Sequence, residues 1–494
     1  MPDKMSSLKK IPFFLLLLPL FFCLHGSVEF YGYLWVSEVI ELFLLLSATV
    51  LLLFIIARYF SKSNLIAALV TFYIAAWNLF FGALHDGLKG SFLHFLSSYS
   101  VLLPLLVVST IVLILILKRY RRFQPRLLYY LNIVLLIYCL YDGALLLSDA
   151  FTRHKKMPVT HVPFNLPAVI AKPDVYYLLF DGYPGYQSLQ DSFGFKNEGL
   201  YSFLAAKGFG VLPSASNYNF TYFSMASVFN MNYLDLPHPD SIKEEGYLQQ
   251  AETIRNGEVF YIFQAMGYSL KDLSIFDVGS EERLSNNELV PSHLQLLTHK
   301  MLYRKFMKEA GSIFLSGKYE IPFLKKFFLR KDDFNRRVEE KIYNTLEDKT
   351  GRPAFLYAHF FLPHEPIYFD SAGNYLPGSI IYDNNTMKNK NYYLGYIKYT
   401  NSRMMAVVNA IVNKDPHAII VVMSDHGYRF YPDYAPPHFN NLCAVRFGTN
   451  ASPGSPPFIS NVNFFRYLFN TGFGQQLPFL RDSSIYLKDV APVQ

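Results

Sequence analysis

The sequence predicts an α-helical membrane domain followed by one large α/β domain, and three observations carry the prediction. Long apolar runs fill the first 150 residues and stop there. Beyond them, short apolar β-branched runs alternate with amphipathic stretches, as an α/β layer architecture requires. One such run, Ala418-Ile-Ile-Val-Val-Met-Ser424, ends in Asp425-His426-Gly427, two adjacent metal-ligand types and a glycine. The averages over 494 residues, 51% hydrophobic and 17% aromatic, conceal this division.

The apolar runs cover residues 11–24, 34–57, 64–84, 94–117 and 127–148. Several approach or exceed the roughly 20 residues a helix needs to cross a hydrocarbon core, so five transmembrane helices are expected within residues 1–150. Basic residues set their direction, because Lys and Arg stay on the cytoplasmic side. Lys4, Lys9 and Lys10 precede the first run, Arg58 and Lys62 follow the second, and Lys118, Arg119, Arg121, Arg122 and Arg126 follow the fourth. The loops around Glu29 and Asp86 are poor in basic residues. An internal N-terminus and five spans put everything after residue 150 outside the cytoplasm. The first run is short, and a cleaved signal sequence is the second reading for residues 11–24; the side of the large domain is the same on both.

Arg153, His154, Lys155 and Lys156 fall just outside the fifth span, against the charge rule. They are read either as a juxtamembrane anchor or as a contact for anionic headgroups. Acidic groups within spans are costly and invite a functional reading. Glu38, Glu41 and Asp86 sit near outer ends, within reach of water, whereas Asp142 is deeper and is a candidate to face a lipid headgroup.

Cys23, Cys139 and Cys443 are the only cysteines, one of them in the outer half, so no disulfide is expected there. The net charge of +7 lies partly on cytoplasmic loops and is no nucleic-acid footprint.

Residues 151–172 carry Pro158, Pro163 and Pro167 and are expected to be a linker, with the outer domain spanning 173–494. Within it, Asp174–Phe180 (DVYYLLF) is a buried strand, 188–206 a helix and 208–212 a short strand. A helix opens at or just after Thr221 and runs to Asn230; 256–267 and 332–349 are helical, and Ala354–Phe361 (AFLYAHFF) is a second buried strand. Residues 390–413 form a helix, 418–424 the strand already described, 442–447 a further strand and 461–471 a closing helix. The aromatic stretch 217–233, with Tyr218, Phe220, Tyr222, Phe223 and Phe229, is assigned first to the core, with a lipid or sugar pocket as the alternative.

Four positions at strand ends or helix starts gather metal-type ligands: Asp181 before Gly182, Asp425 and His426, and Thr221. Hard oxygen ligands with one imidazole suit manganese, magnesium or zinc. A cation-bound threonine hydroxyl has a lowered pKa, and a helix N-terminus stabilises the resulting anion, which makes Thr221 a candidate nucleophile. Each feature also has an ordinary reading: Asp-Gly as a turn, Thr221 as a helix N-cap. Pro363-His364-Glu365-Pro366 follows the strand AFLYAHFF and aims His364 at the same sheet edge, as a phosphate-binding or proton-donating group, with an ordinary solvent-exposed loop histidine as the alternative. His359, inside that strand, is read as packed; His438, in Pro436-Pro437-His438-Phe439, is a candidate substrate or second metal ligand and equally an ordinary loop residue.

The succession LLFDGY, NFTYFSMAS, HFFLPHEP and VVMSDHG resembles the alkaline phosphatase superfamily in its sulfatase-like branch. Five spans before an exported domain look like the lipoteichoic acid synthases and phosphoethanolamine transferases. The resemblance implies an α/β/α sandwich with a mixed central sheet, a divalent metal held by Asp181, Thr221, Asp425 and His426, and His364 contacting substrate. It implies a multi-pass protein of the bacterial cytoplasmic (inner) membrane, with its catalytic domain on the periplasmic side.

Two departures restrict the assignment. Formylglycine sulfatases carry Cys-x-Pro-x-Arg or Ser-x-Pro-x-Arg, whereas Thr221 stands here without that motif, so sulfate ester hydrolysis is disfavoured. The transferases usually begin their metal site with glutamate, whereas Asp181 resembles the phosphodiesterase branch. For a second metal the candidates are His364, His438 and, loosely, Asp370; one ion is the expectation. The expected activity is transfer of a phospho-headgroup, of phosphoethanolamine or phosphoglycerol type, from a membrane phospholipid to an envelope glycan or lipid through Thr221. A phosphodiester hydrolase and a non-catalytic membrane scaffold are the rivals.

Overall fold

A computed structural model describes residues 11–152, 164, 172–236, 238–279, 284, 293–307, 333–347, 351–381, 383, 385–430, 435–448 and 458–488. The linker prolines Pro158, Pro163 and Pro167 and the basic cluster 153–156 lie outside the described residues. The chain divides into two units, Met1–Met157 with Asn287–Ala310 and Ala491–Gln494, and Pro158–Asn286 with Gly311–Val490.

The N-terminal unit is built on α1 (Phe14–Glu29), α2 (Val36–Ser61), α3 (Asn64–Lys89), α4 (Tyr99–Arg119) and α5 (Gln124–Thr152). Among the described residues, four helical stretches are long and apolar enough to cross a membrane: Val36–Ser61, Asn64–Lys89, Tyr99–Arg119 and Arg121–Phe151; α1, at 16 residues, is shorter. Helices α2, α4 and α5 leave large apolar side chains uncovered, among them Leu44, Ile55, Leu115 and Leu140, as helices facing hydrocarbon do. In α1, by contrast, Phe14, Leu15, Leu18 and Cys23 are buried, and it packs against α5 and α2. Asp142 is buried within α5, 3.3 Å from His25 Nδ1.

Within the stretch 173–494 read from the sequence as the outer domain, the segment Asn287–Ala310 groups with the helical unit. Its short helix His293–Thr298 sets Leu297 against Gly26 of α1. Beyond it, the Gly82 amide donates to Lys300 O (2.8 Å) and the Tyr303 amide to Asn78 Oδ1 (3.1 Å). Asp86 pairs with Lys305 Nζ at 2.7 Å and His85 Nδ1 at 2.8 Å. Asp86 is therefore an anchoring group for this segment.

The second unit is formed around a six-stranded mixed sheet of order β2-β7-β6-β1-β5-β4. Its strands are β1 (Val175–Phe180), β2 (Gly210–Val211), β4 (Ser269–Leu273), β5 (Ala354–Phe360), β6 (Ile419–Met423) and β7 (Cys443–Phe447); β3 (Ser214–Ala215) and β8 (Ile459–Ser460) pair apart. β4, β5, β1 and β6 are parallel neighbours, and β7 is antiparallel to both β6 and β2. The parallel strands β1, β5 and β6 are buried almost throughout, which explains their continuous apolar sequences.

The helices are α6 (Tyr186–Phe193), α7 (Glu198–Ala206), α8 (Thr221–Asn230), α9 (Glu244–Arg255), α10 (Glu258–Ala265), α11 (Asp333–Glu347), α12 (Lys390–Lys414) and α13 (Asn461–Phe473). One sheet face is aromatic: Tyr177 and Tyr357 meet Phe229 of α8 and Tyr177 stacks on Phe465 of α13, while Phe263 of α10 stacks on Phe355. Strand alternation sends Phe180 and Phe360 to the opposite side, where they stack on each other. Helix α11 packs on β5 and α12 on α11, joined by an ion pair between Arg403 and the buried Glu339. Tyr218, Phe223 and Phe229 are fully buried, so the core reading of the aromatic stretch holds for these three. The single helix expected over 188–206 is two, because Gly194 (φ 63°) and Asn197 (φ 53°) take left-handed conformations between α6 and α7.

Candidate metal centre

β1 and β6 are parallel neighbours with Leu179 opposite Met423, so Asp181, Asp425 and His426 emerge side by side at the C-terminal edge of the sheet. Open α/β sheets present their chemistry at that edge. Two glycines permit the close approach. Gly182, at φ 69°, occupies the left-handed region and turns its amide onto Asp425 Oδ1 at 2.9 Å. Gly427 is crowded by main chain, since a Cβ there would stand 2.1 Å from Pro437 O and 2.4 Å from Asn440 O.

The two carboxylates divide their oxygens alike. Asp181 Oδ2 meets His359 Nε2 at 3.1 Å, and Asp425 Oδ1 accepts from Gly182. Asp181 Oδ1 and Asp425 Oδ2 are buried with no hydrogen-bond partner among the described residues, and His426 Nε2 lies 3.6 Å from the first and 3.5 Å from the second. His426 Nδ1 is 2.8 Å from the Gly427 carbonyl, which places the ring proton on Nδ1 and leaves a lone pair on Nε2. Three lone-pair atoms within 4.8 Å of one another, all on buried residues, repel unless a cation stands among them. The residues therefore fit a divalent metal ion, and the oxygen-plus-imidazole set suits manganese, magnesium or zinc.

The surroundings tune these groups. Burial alone would raise the Asp181 carboxyl, but the imidazoles of His364, His359 and His426 outweigh it and hold it below the usual carboxylate range. Burial lowers His426, and this outweighs the pull of Asp425 and Asp181 and favours the neutral ring. His359 is buried, as expected of a strand residue, yet it also bridges Tyr357 OH (3.0 Å, at Nδ1) and Asp181. Such a partner fixes the orientation of a ligand carboxylate.

Thr221 is the first residue of α8, and the preceding Phe220, with extended backbone, occupies the N-cap position. The N-cap reading of Thr221 is thereby displaced by one residue. One turn on, Ser224 Oγ donates to the Asp425 carbonyl at 2.6 Å. Asn461, at the start of α13, donates from Nδ2 to the carbonyls of Ser424 and Asp425, both at 3.2 Å. Sequence reasoning missed Ser224; the signal was its i+3 spacing from Thr221, which puts both on one helix face.

A shallow cleft is lined by Gly182, His364, Tyr393, His426, Tyr428 and Arg429, among others. His364 Nδ1 donates to the Glu365 carbonyl at 2.7 Å, and its Nε2 accepts from Arg429 Nη2 at 2.9 Å. Arg429 was also missed, although it stands three residues after His426 in Asp-His-Gly-Tyr-Arg. His438 is buried with its ring stacked on Tyr486, and its carbonyl accepts from the Gly427 amide at 2.9 Å. It does not line the cleft. Asp370, the loose candidate for a second metal, instead closes its own turn by accepting from the amides of Ala372 and Asn374.

Residues 258–466 match the family model described as Sulfatase. The matched stretch includes His364, Asp425, His426, Arg429 and His438, and it begins after Asp181 and Thr221. No curated protein matches the sequence. Similar solved structures include the soluble domain of lipooligosaccharide phosphoethanolamine transferase A from Neisseria meningitidis, at 12% identity and TM-score 0.37, covering 62% of this chain and 90% of that one. The C-terminal periplasmic domain of EcEptC from Escherichia coli, in complex with Zn, is 9% identical at TM-score 0.38, covering 66% and 91%. Phosphonate monoester hydrolase SpPMH from Silicibacter pomeroyi is 11% identical at TM-score 0.35, covering 65% and 76%.

Proposed function

From the sulfatase-type enzyme domain that residues 258–466 carry, we propose that the chain is a multi-pass membrane enzyme that transfers a phospho-headgroup from a phospholipid to an envelope glycan or lipid. Asp181, Asp425, His426 and the Thr221 hydroxyl hold one divalent cation. A cation bound there would lower the pKa of the threonine hydroxyl and offset phosphoryl charge. Thr221 Oγ attacks phosphorus, the bond to the diacylglycerol oxygen breaks, and the proton given up by the Thr221 hydroxyl ends on that oxygen as diacylglycerol leaves. The headgroup phosphate remains on Thr221 until an acceptor hydroxyl displaces it. His364 contacts the substrate phosphate from the cleft wall, and His438 supports the site through the Gly427 amide.

The observation that carries this reading is the convergence of Asp181 Oδ1 and Asp425 Oδ2, buried and without a hydrogen-bond partner among the described residues, on His426 Nε2. A scaffold has no need of that set. The membrane unit supports the topology: Gly26 near the end of α1 and Gly82 near the end of α3 both meet the segment around Lys300, so both helices run toward the same side. Spans that hold the enzyme at the bilayer raise the effective concentration of a substrate that cannot leave it.

Metal analysis of the purified full-length chain tests the reading. About one equivalent of manganese or zinc is expected in the wild type and none in Asp425→Ala. Equal metal content in the two, or none in the wild type, would contradict it. Transfer is separated from hydrolysis by whether labelled headgroup appears on an acceptor or free in solution.

A further inference from the structure

We propose that Arg429 is the phosphate clamp of this site, a fixed guanidinium that does beside one metal ion what a second cation would otherwise do. The inference rests on the reading of Asp181, Asp425 and His426 as a metal site. It concerns a residue with no acidic partner: among the described residues no carboxylate pairs with Arg429, although it is half-buried in the cleft. Its hydrogen bonds go to two ring nitrogens, Nη2 to His364 Nε2 at 2.9 Å and Nη1 to His426 Nε2 at 3.4 Å. A guanidinium held between imidazoles, paired directly with no carboxylate among the described residues, keeps donors to offer an anion.

The geometry also bears on metal count. His364 Nδ1 is committed to the Glu365 carbonyl, so Nε2 is the one nitrogen through which His364 can ligate, and Arg429 Nη2 donates to it. His438, the other second-site candidate, packs its ring on Tyr486. The guanidinium therefore stands where a second ion would need an open ligand, and like charge opposes that ion's entry. Arg429 has five N–H donors in a planar fork matched to two oxygens of one phosphate. On ligand entry these donors turn from the imidazoles to two non-bridging phosphoryl oxygens, where charge is shared as the phosphorus–oxygen bond breaks. The ligand class is a phosphodiester monoanion, with inorganic phosphate as the minimal probe of the same chemistry.

The test uses the full-length chain in detergent with Zn²⁺, comparing wild type, Arg429→Ala and Arg429→Lys. Metal content, thermal midpoint and the affinities for dimethyl phosphate and inorganic phosphate are measured. The expected result is one metal equivalent and an unchanged midpoint in all three. Affinity for both anions should fall at least tenfold in the Ala variant and less in the Lys variant. An Ala variant within twofold of wild type overturns the clamp and leaves the metal reading standing. Loss of metal along with anion affinity also overturns it, because Arg429 would then act by bracing the imidazoles. Two metal equivalents in the wild type contradict the substitution for a second cation. A loss confined to inorganic phosphate overturns the diester assignment in favour of a free-phosphate site. Arg429-dependent anion binding that survives Asp425→Ala and needs no metal sinks the metal reading and keeps the clamp.

Discussion

Ser224 Oγ donates to the main-chain carbonyl of Asp425 across 2.6 Å, tying the first turn of α8 to the end of β6. The bond is fully buried, and it fixes Thr221, one turn before Ser224, to the strand that leads into Asp425 and His426. Ser224→Ala leaves that carbonyl to the Asn461 amide alone. Losing a buried hydrogen bond costs about 1–2 kcal/mol, so the thermal midpoint should fall by a few degrees. Because the tether positions Thr221, the proposed nucleophile, kcat on an aryl phosphodiester should fall more than KM rises. A variant that loses stability and keeps kcat would show that Ser224 serves the fold alone.

Gly427 admits no side chain. A methyl group there would collide with the carbonyl oxygens of Pro437 and Asn440, and main-chain atoms cannot move aside as a flexible side chain would. Gly427→Ala should destabilise the domain by about 2 kcal/mol or more, in the range of overpacking, and should reduce metal content, since His426 is the adjacent residue. Denaturant midpoints and metal analysis on the same samples check both parts; unchanged values in both would contradict the close packing.

Cys443 lies in β7 as a free thiol, essentially inaccessible, and burial pushes its pKa well up. The raised value keeps the neutral form through the physiological range, and the thiolate is the reactive species. Maleimide should therefore label Cys443 only after denaturation. Peptide mapping of chain labelled at pH 7.5 measures this, and labelling at native conditions would contradict the packing of β7 against β6.

Much of the site was legible because strand ends carry it. The runs VYYLLF, AFLYAHF and IIVVM are apolar on both faces, so buried strands were evident, and with them the positions of Asp181, His364, Asp425 and His426. What periodicity hides is less regular. β4, Ser269–Leu273, is only partly buried and carries Lys271 and Asp272, as an edge strand does, and no alternation marked it. Helix α9 is polar overall, so no apolar stripe announced it. The docking of Lys300 and Lys305 against Glu29 and Asp86 joins residues more than 200 positions apart, a pairing no local pattern encodes. The pinning of His359 between Tyr357 and Asp181 was hidden for the opposite reason: a histidine inside an apolar strand looks like packing until its partners are known.

The covalent role of Thr221 is the centre of the account. Intact-mass analysis of the full-length chain, after incubation with manganese and mixed bacterial phospholipids and beside Thr221→Ala, measures it directly. The account predicts a mass gain on the wild type equal to one phospho-headgroup and no gain on the variant. Equal gain on both, or diester turnover that persists undiminished in Thr221→Ala, would contradict it.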